Sequence, residues 1–139
     1  MKKYNIRFPA EDIHQLGQDE AYFYLSEDGE DHKIRFHDYA DIYTRPGLYE
    51  QLFYERLKCT SPQKAHDILA KVLEENRIEM TEVRLLDVGA GNGMVGELIH
   101  AARAIGVDIC TEARDACERD RPGVYDDYLV IDLCKLDGE

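Results

Sequence analysis

The chain has 139 residues, room for one domain with a hydrophobic core. Its 17 basic and 29 acidic residues give a formal net charge of −12, which argues against a nucleic-acid partner because backbone phosphates are repelled. The longest apolar runs, such as Tyr128-Leu129-Val130-Ile131, fall far short of the ~20 residues of a membrane span, so no membrane partner is expected. No apolar run follows the basic start Met1-Lys2-Lys3, so no secretory signal is read and a cytoplasmic location is expected. Cys59, Cys110, Cys117 and Cys134 form no C-x-x-C pair, and the histidines show no ligand spacing. No metal site is expected, and the thiols read as reduced.

Residues 1–36 are polar and acidic. Within them Ala21-Tyr22-Phe23-Tyr24-Leu25 and Lys33-Ile34-Arg35-Phe36 read as strands, joined through Ser26-Glu27-Asp28-Gly29-Glu30, whose Asp-Gly is a hairpin signal. Residues 37–80 read as a helical lead-in. Leu48, Leu52, Phe53 and Leu57 lie near helical spacing. Thr60-Ser61-Pro62 opens a helix with a hydroxyl cap and an early proline. That helix carries the apolar stripe Ala65, Ile68, Leu69, Val72 and Leu73 and ends near Asn76.

Residues 81–139 change period. Val83–Val88 reads as a strand, Gly89–Gly93 as a glycine loop, and Met94–Ala104 as a helix with Val95, Leu98, Ile99 and Ala102 inward. A strand over Ile105–Asp108, a helix over Thr111–Arg119 and a strand over Tyr128–Ile131 follow. The order βαβαβ predicts a parallel sheet in an α/β, Rossmann-like fold, with helices on both faces.

The stretch Asp87-Val88-Gly89-Ala90-Gly91-Asn92-Gly93-Met94-Val95-Gly96 can be read in two registers. Gly91, Gly93 and Gly96 spell G-x-G-x-x-G, the dinucleotide fingerprint. Asp87, Gly89, Gly91 and Gly93 spell D-x-G-x-G-x-G. The second is favoured, because it sets Gly89 at the strand-to-helix turn and Asp87 at the carboxyl end of the strand, where such a sheet binds its ligand. There the carboxylate can meet a cationic group, while in the first register it recedes into the strand, where an unpartnered charge is costly. Glycines without Cβ atoms let a ligand lie against the backbone.

Leu85-Leu86-Asp87-Val88-Gly89-Ala90-Gly91-Asn92-Gly93 closely resembles the first motif of class I S-adenosylmethionine-dependent methyltransferases. Gly106-Val107-Asp108-Ile109 resembles the end of that family's second strand, whose acidic residue takes the ribose hydroxyls; a carboxylate, all acceptor, suits a diol. Tyr128-Leu129-Val130-Ile131-Asp132-Leu133 resembles the third strand and its loop, where an Asp accepts from the adenine amino group and the next residue packs nearby. Phe36-His37-Asp38-Tyr39-Ala40-Asp41-Ile42-Tyr43 resembles the Y-D-x-x-A-x-x-Y-D segment of small-molecule methyltransferases, with Phe36 and His37 in place of the first Tyr-Asp and Thr44 in place of the last Asp. The resemblance spans about residues 36–136. It implies S-adenosyl-L-methionine as cofactor, held by Asp87, Gly89, Ala90, Gly91, Asn92, Gly93, Asp108, Ile109, Asp132 and Leu133, with Tyr43 leaning toward its methionine end. An equal alternative packs Tyr39 and Tyr43 into the core.

The family fold is a seven-stranded sheet in the order 3-2-1-4-5-7-6, and the chain supplies the equivalents of strands 1, 2 and 3 before Leu136-Asp137-Gly138-Glu139. The expectation is therefore a cofactor-binding half-domain, truncated before the substrate-choosing half. By itself it would be inactive, and the open edge of its first strand is expected to be covered by a second copy, by the N-terminal hairpin folding over it or by further residues of a longer chain. No catalytic base is assigned; His37 and His100 are polar but unplaced. The leading function is the cofactor-binding portion of a methyltransferase acting on a small molecule. A non-catalytic cofactor-binding or assembly fragment is the alternative, and an NAD(P)-binding protein the third.

Overall fold

In the computed structural model, residues 2–10, 17 and 19–135 are described. Asp28 and Gly29 hold φ of 50° and 85°, the paired left-handed geometry that matches strand twist in a two-residue hairpin turn. The turn joins β2 (Tyr22–Glu27) to β3 (Glu30–Arg35) in antiparallel register, Phe23 opposite Ile34 and Leu25 opposite His32. Both strands run closer to the turn than the sequence suggests. β1 (Asn5–Arg7), unforeseen, pairs with β2 and gives the order β1-β2-β3. Next come α1 (Tyr39–Tyr43) and a π-helical segment over Glu50–Arg56. Ile6, Phe23, Leu25, Ile34, Ile42, Leu48 and Leu52 form the core of this unit, flanked by Tyr4, Phe36, Tyr49 and Phe53.

The chain divides into two compact units, Met1–Cys59 and Thr60–Glu139. The lead-in expected over residues 37–80 therefore belongs to both: its first half closes the antiparallel sheet, and its second begins the next unit.

In that second unit α2 (Ser61–Asn76) follows Thr60, whose side chain makes no capping bond, and the helix ends in a left-handed Arg77. Of the expected stripe only Leu73 is buried, while Ile68 is 66% and Val72 48% exposed. The cause is the size of its neighbour. α2 packs on α3, and α3 is only Met94–Leu98, one turn and a half of covering surface. The helix expected to run to Ala104 stops because Ile99 is already extended and Arg103 is claimed by the sheet opposite Arg84.

β4 (Arg84–Val88), β5 (Arg103–Asp108) and β6 (Asp127–Val130) form a parallel sheet in the order β4-β5-β6, with α4 (Thr111–Asp120) between the last two. Leu133–Lys135 adds a short 3₁₀ turn. Both crossovers step the same way across the sheet, so right-handed connections set α3 and α4 on one face. The two crossover helices thus share one face, where the sequence suggested that helices would divide between both. Asp87, Gly106 and Tyr128 are laterally aligned on the covered face; Leu86 and Val88, each 60% exposed, lie on the other. β4 is an edge strand. Among the described residues no helix is long and apolar enough to cross a membrane. Leu136–Glu139, where the sequence suggests an unfinished fold, lie outside the described residues.

Candidate functional site at the carboxyl ends of β4 and β5

The chain leaves β4 at Val88 and turns through Gly89, Gly91 and Gly93, with φ of 76°, 55° and 86°. Three left-handed residues in five explain the alternate glycines: a side chain here is strained by its own backbone. The loop is bound to β5. The N–H groups of Gly89 and Ala90 donate to the Val107 carbonyl at 2.8 and 3.0 Å, and the Gly93 N–H donates to the Ala90 carbonyl at 3.0 Å. The Gly91 N–H donates to Asp108 Oδ2 at 2.9 Å, and the Cys110 N–H to Asp108 Oδ1 at 2.9 Å. One carboxylate therefore ties the loop to the start of α4.

Asp87 sits where the D-x-G-x-G-x-G register puts it, at the carboxyl end of β4. Its partner is one the sequence did not disclose: the Tyr125 hydroxyl donates to Asp87 Oδ2 at 2.6 Å. Tyr128 donates to the Gly91 carbonyl at 2.7 Å. Burial, with Asp87 beside Tyr125 and Asp108 beside Tyr128, pushes both phenols far above their ordinary range, so both remain donors at physiological pH. Arg121 braces the far side of the loop, pairing with Glu97 at 2.9 Å and donating to the Asn92 carbonyl at 3.3 Å.

The expected ligand-facing residues divide by exposure. Gly89, Ile109 and Leu133 are exposed, and Asp87, Gly91, Asp108 and Asp132 are half-buried. Ala90 and Asn92 are 6% and 2% exposed, which leaves little but their backbone for a ligand. Gly93 is buried for packing, since a Cβ there would lie 2.9 Å from Cys117 Sγ and 3.0 Å from Val124. A Cβ on Gly89 would meet nothing within 4 Å. Asp132 caps its own turn, accepting from the Cys134 N–H at 3.0 Å and pairing with Lys135 at 3.2 Å. Tyr43 belongs to the first unit. There it is 5% exposed, stacked on Tyr49 at 4.8 Å between ring centres and on Tyr39 at 6.2 Å, so the core-packing alternative holds for Tyr43 but not for Tyr39, which is 39% exposed. His37 pairs with Asp19 at 3.2 Å, and His100 is exposed after α3.

Gly96, the last glycine of the dinucleotide register, has a different use. A Cβ there would lie 2.6 Å from the Tyr125 ring, and a Cβ on Gly106 2.9 Å from it. The pair of glycines is a socket for one aromatic side chain. Tyrosines 125 and 128 were missed because no local pattern marks them. The only trace in the sequence is two small residues, on a helix and a strand, that no turn requires.

Among the described residues no group of three His, Cys, Asp or Glu side chains is arranged to hold a metal ion. No protein-family model, curated protein or solved structure matches this chain.

Proposed function

We propose that the parallel-sheet unit is the S-adenosylmethionine-binding portion of a class I methyltransferase whose substrate is a small molecule, with a Rossmann-like sheet equivalent to strands 3-2-1 of that family. The observation that carries this reading is the glycine loop at the carboxyl end of β4, tied through Gly91 to Asp108 at the carboxyl end of β5.

The residues present fit the cofactor. The backbone at Gly89 is open, with nothing within 4 Å of a Cβ, so a ligand can lie against it. Each Asp108 oxygen accepts one backbone N–H and keeps a lone pair for an O–H donor, the requirement of a ribose diol. Exposed Ile109 and Leu133 follow neighbouring strands and offer apolar surface to a flat ring, with Asp132 beside Leu133. The acidic balance of the chain, −12 overall, favours a cationic ligand.

The bound cofactor would supply an activated methyl group on a sulfonium. This chain's residues would bind and orient it, and alignment accounts for much of the rate in such transfers. A dinucleotide has less support. The N–H groups of Gly89, Ala90 and Gly91 are spent on Val107 and Asp108, and α3 is too short to offer a pyrophosphate a strong helix dipole. A non-catalytic cofactor-binding or assembly module is favoured by one observation, the apolar side chains of Leu86 and Val88, each 60% exposed, which suit a surface covered by a partner.

Isothermal calorimetry with S-adenosylhomocysteine and with NAD tests the reading. Binding of the first and not the second is expected. NAD binding without S-adenosylhomocysteine binding would overturn it.

A further inference from the structure

We propose that Tyr125 and Tyr128 are positioning residues that fasten the glycine loop in the shape that receives its ligand; the proposal rests on the cofactor reading above. A loop with three left-handed glycines has many conformations open to it, and the cost of choosing one falls on whatever orders it. Gly91, at its centre, is held at both backbone ends: Asp108 takes its N–H at 2.9 Å, and Tyr128 donates to its carbonyl at 2.7 Å. Just upstream, Tyr125 holds Asp87 at 2.6 Å and so fixes which carboxylate oxygen is left for a ligand.

The two rings meet edge to face with centres 5.8 Å apart, so neither hydroxyl swings freely. Tyr125 is further confined by its socket, since its ring fills the space that side chains at positions 96 and 106 would need. One side chain thus touches the helix that follows the loop, the strand beside it and the acid before it. Filling that socket requires only a ring, which phenylalanine would supply. The hydroxyls add something else, directed bonds to Asp87 at the end of β4 and to the Gly91 carbonyl in the middle of the loop. Both bonds join groups of this chain alone, 38 and 37 residues apart in sequence, so the fold can set them before a ligand arrives. That arrangement is preorganisation, and it lowers the ordering cost of binding.

Calorimetry with S-adenosylhomocysteine and amide hydrogen exchange on the unmodified chain, Tyr125→Phe, Tyr128→Phe and Gly106→Ala test this. Each Phe variant should bind about tenfold more weakly, the scale of losing one directed hydrogen bond to a charged or carbonyl acceptor. Exchange should quicken at Gly89–Gly93 and keep its rate in α2 and β5. Gly106→Ala, whose Cβ would lie 2.9 Å from the Tyr125 ring and 3.0 Å from the Tyr128 ring, crowds both and spares the hydroxyls, so it should weaken binding at least as much as either Phe variant. Unchanged affinity and loop exchange in both Phe variants would overturn the proposal. So would exchange that quickens evenly through the unit, the mark of a tyrosine that only packs. An unmodified chain that fails to bind S-adenosylhomocysteine would overturn the cofactor reading, and it would do so before any variant is compared.

Discussion

Asp108 serves two masters, a backbone loop and the expected ribose, so replacing it acts twice. Asp108→Ala should weaken S-adenosylhomocysteine binding by about 1–3 kcal/mol, the worth of charge-assisted hydrogen bonds, measured by calorimetry. Affinity equal to that of the unmodified chain would exclude the ribose role. The glycines separate by neighbourhood. Gly93→Ala forces a Cβ to 2.9 Å from Cys117 Sγ at φ 86°, so it should cost about 1–3 kcal/mol in urea unfolding, as overpacking does. Gly89→Ala has open space around it and should cost only about 1–2 kcal/mol of left-handed strain, its larger effect falling on ligand binding. Cys117 itself is buried, and burial pushes its thiol up to about 11. Few thiolates form at neutral pH, so alkylation should label exposed Cys134 promptly and Cys117 only as the unit unfolds.

Elements were legible where a local rule met no competing tertiary contact. The Asp-Gly turn, the βαβαβ order and the α4 limits follow from turn chemistry and periodicity, and the structure places them within a few residues of expectation. The shortened α3 was not legible, because the helical pattern over residues 94–104 loses to the β4–β5 pairing, which takes Arg103 into the sheet opposite Arg84. β1 was invisible for a similar reason. Three residues carry no periodicity, and what holds the strand is distant: its ladder to β2, Ile6 in the core and, just before it, buried Gln51, which accepts from the Tyr4 N–H at 3.0 Å and donates to the Lys2 carbonyl at 2.7 Å. At the site, the glycines and the strand-end acids could be read from spacing. The tyrosines that bind Asp87 and Gly91 could not, since their partners lie 38 and 37 residues away in sequence. Gln51→Leu keeps the volume and removes both bonds. Amide exchange at Ile6 should then quicken by about tenfold or more, while the β2–β3 pairing keeps its protection.

On the scale of the molecule, right-handed crossovers set α3 and α4 on one face of the parallel sheet, and its first strand is an edge among the described residues. An apolar edge beside Leu86 and Val88 is a template for another chain, and homodimer formation through it is the expected association. Light scattering should show mass rising with concentration, and Val88→Lys should suppress that rise. The exposed part of the sheet's other face, which does not include Val107 at 3% exposure, also has a thermal consequence. Leu86, Val88 and Leu129 already meet water in the folded chain, so unfolding exposes less new apolar surface than a sheet covered on both sides would. The heat-capacity increment of the parallel-sheet unit should therefore fall below the ~12–15 cal/mol/K per residue typical of globular proteins. Whatever comes to cover that face should bind with a negative heat-capacity change that recovers part of the shortfall.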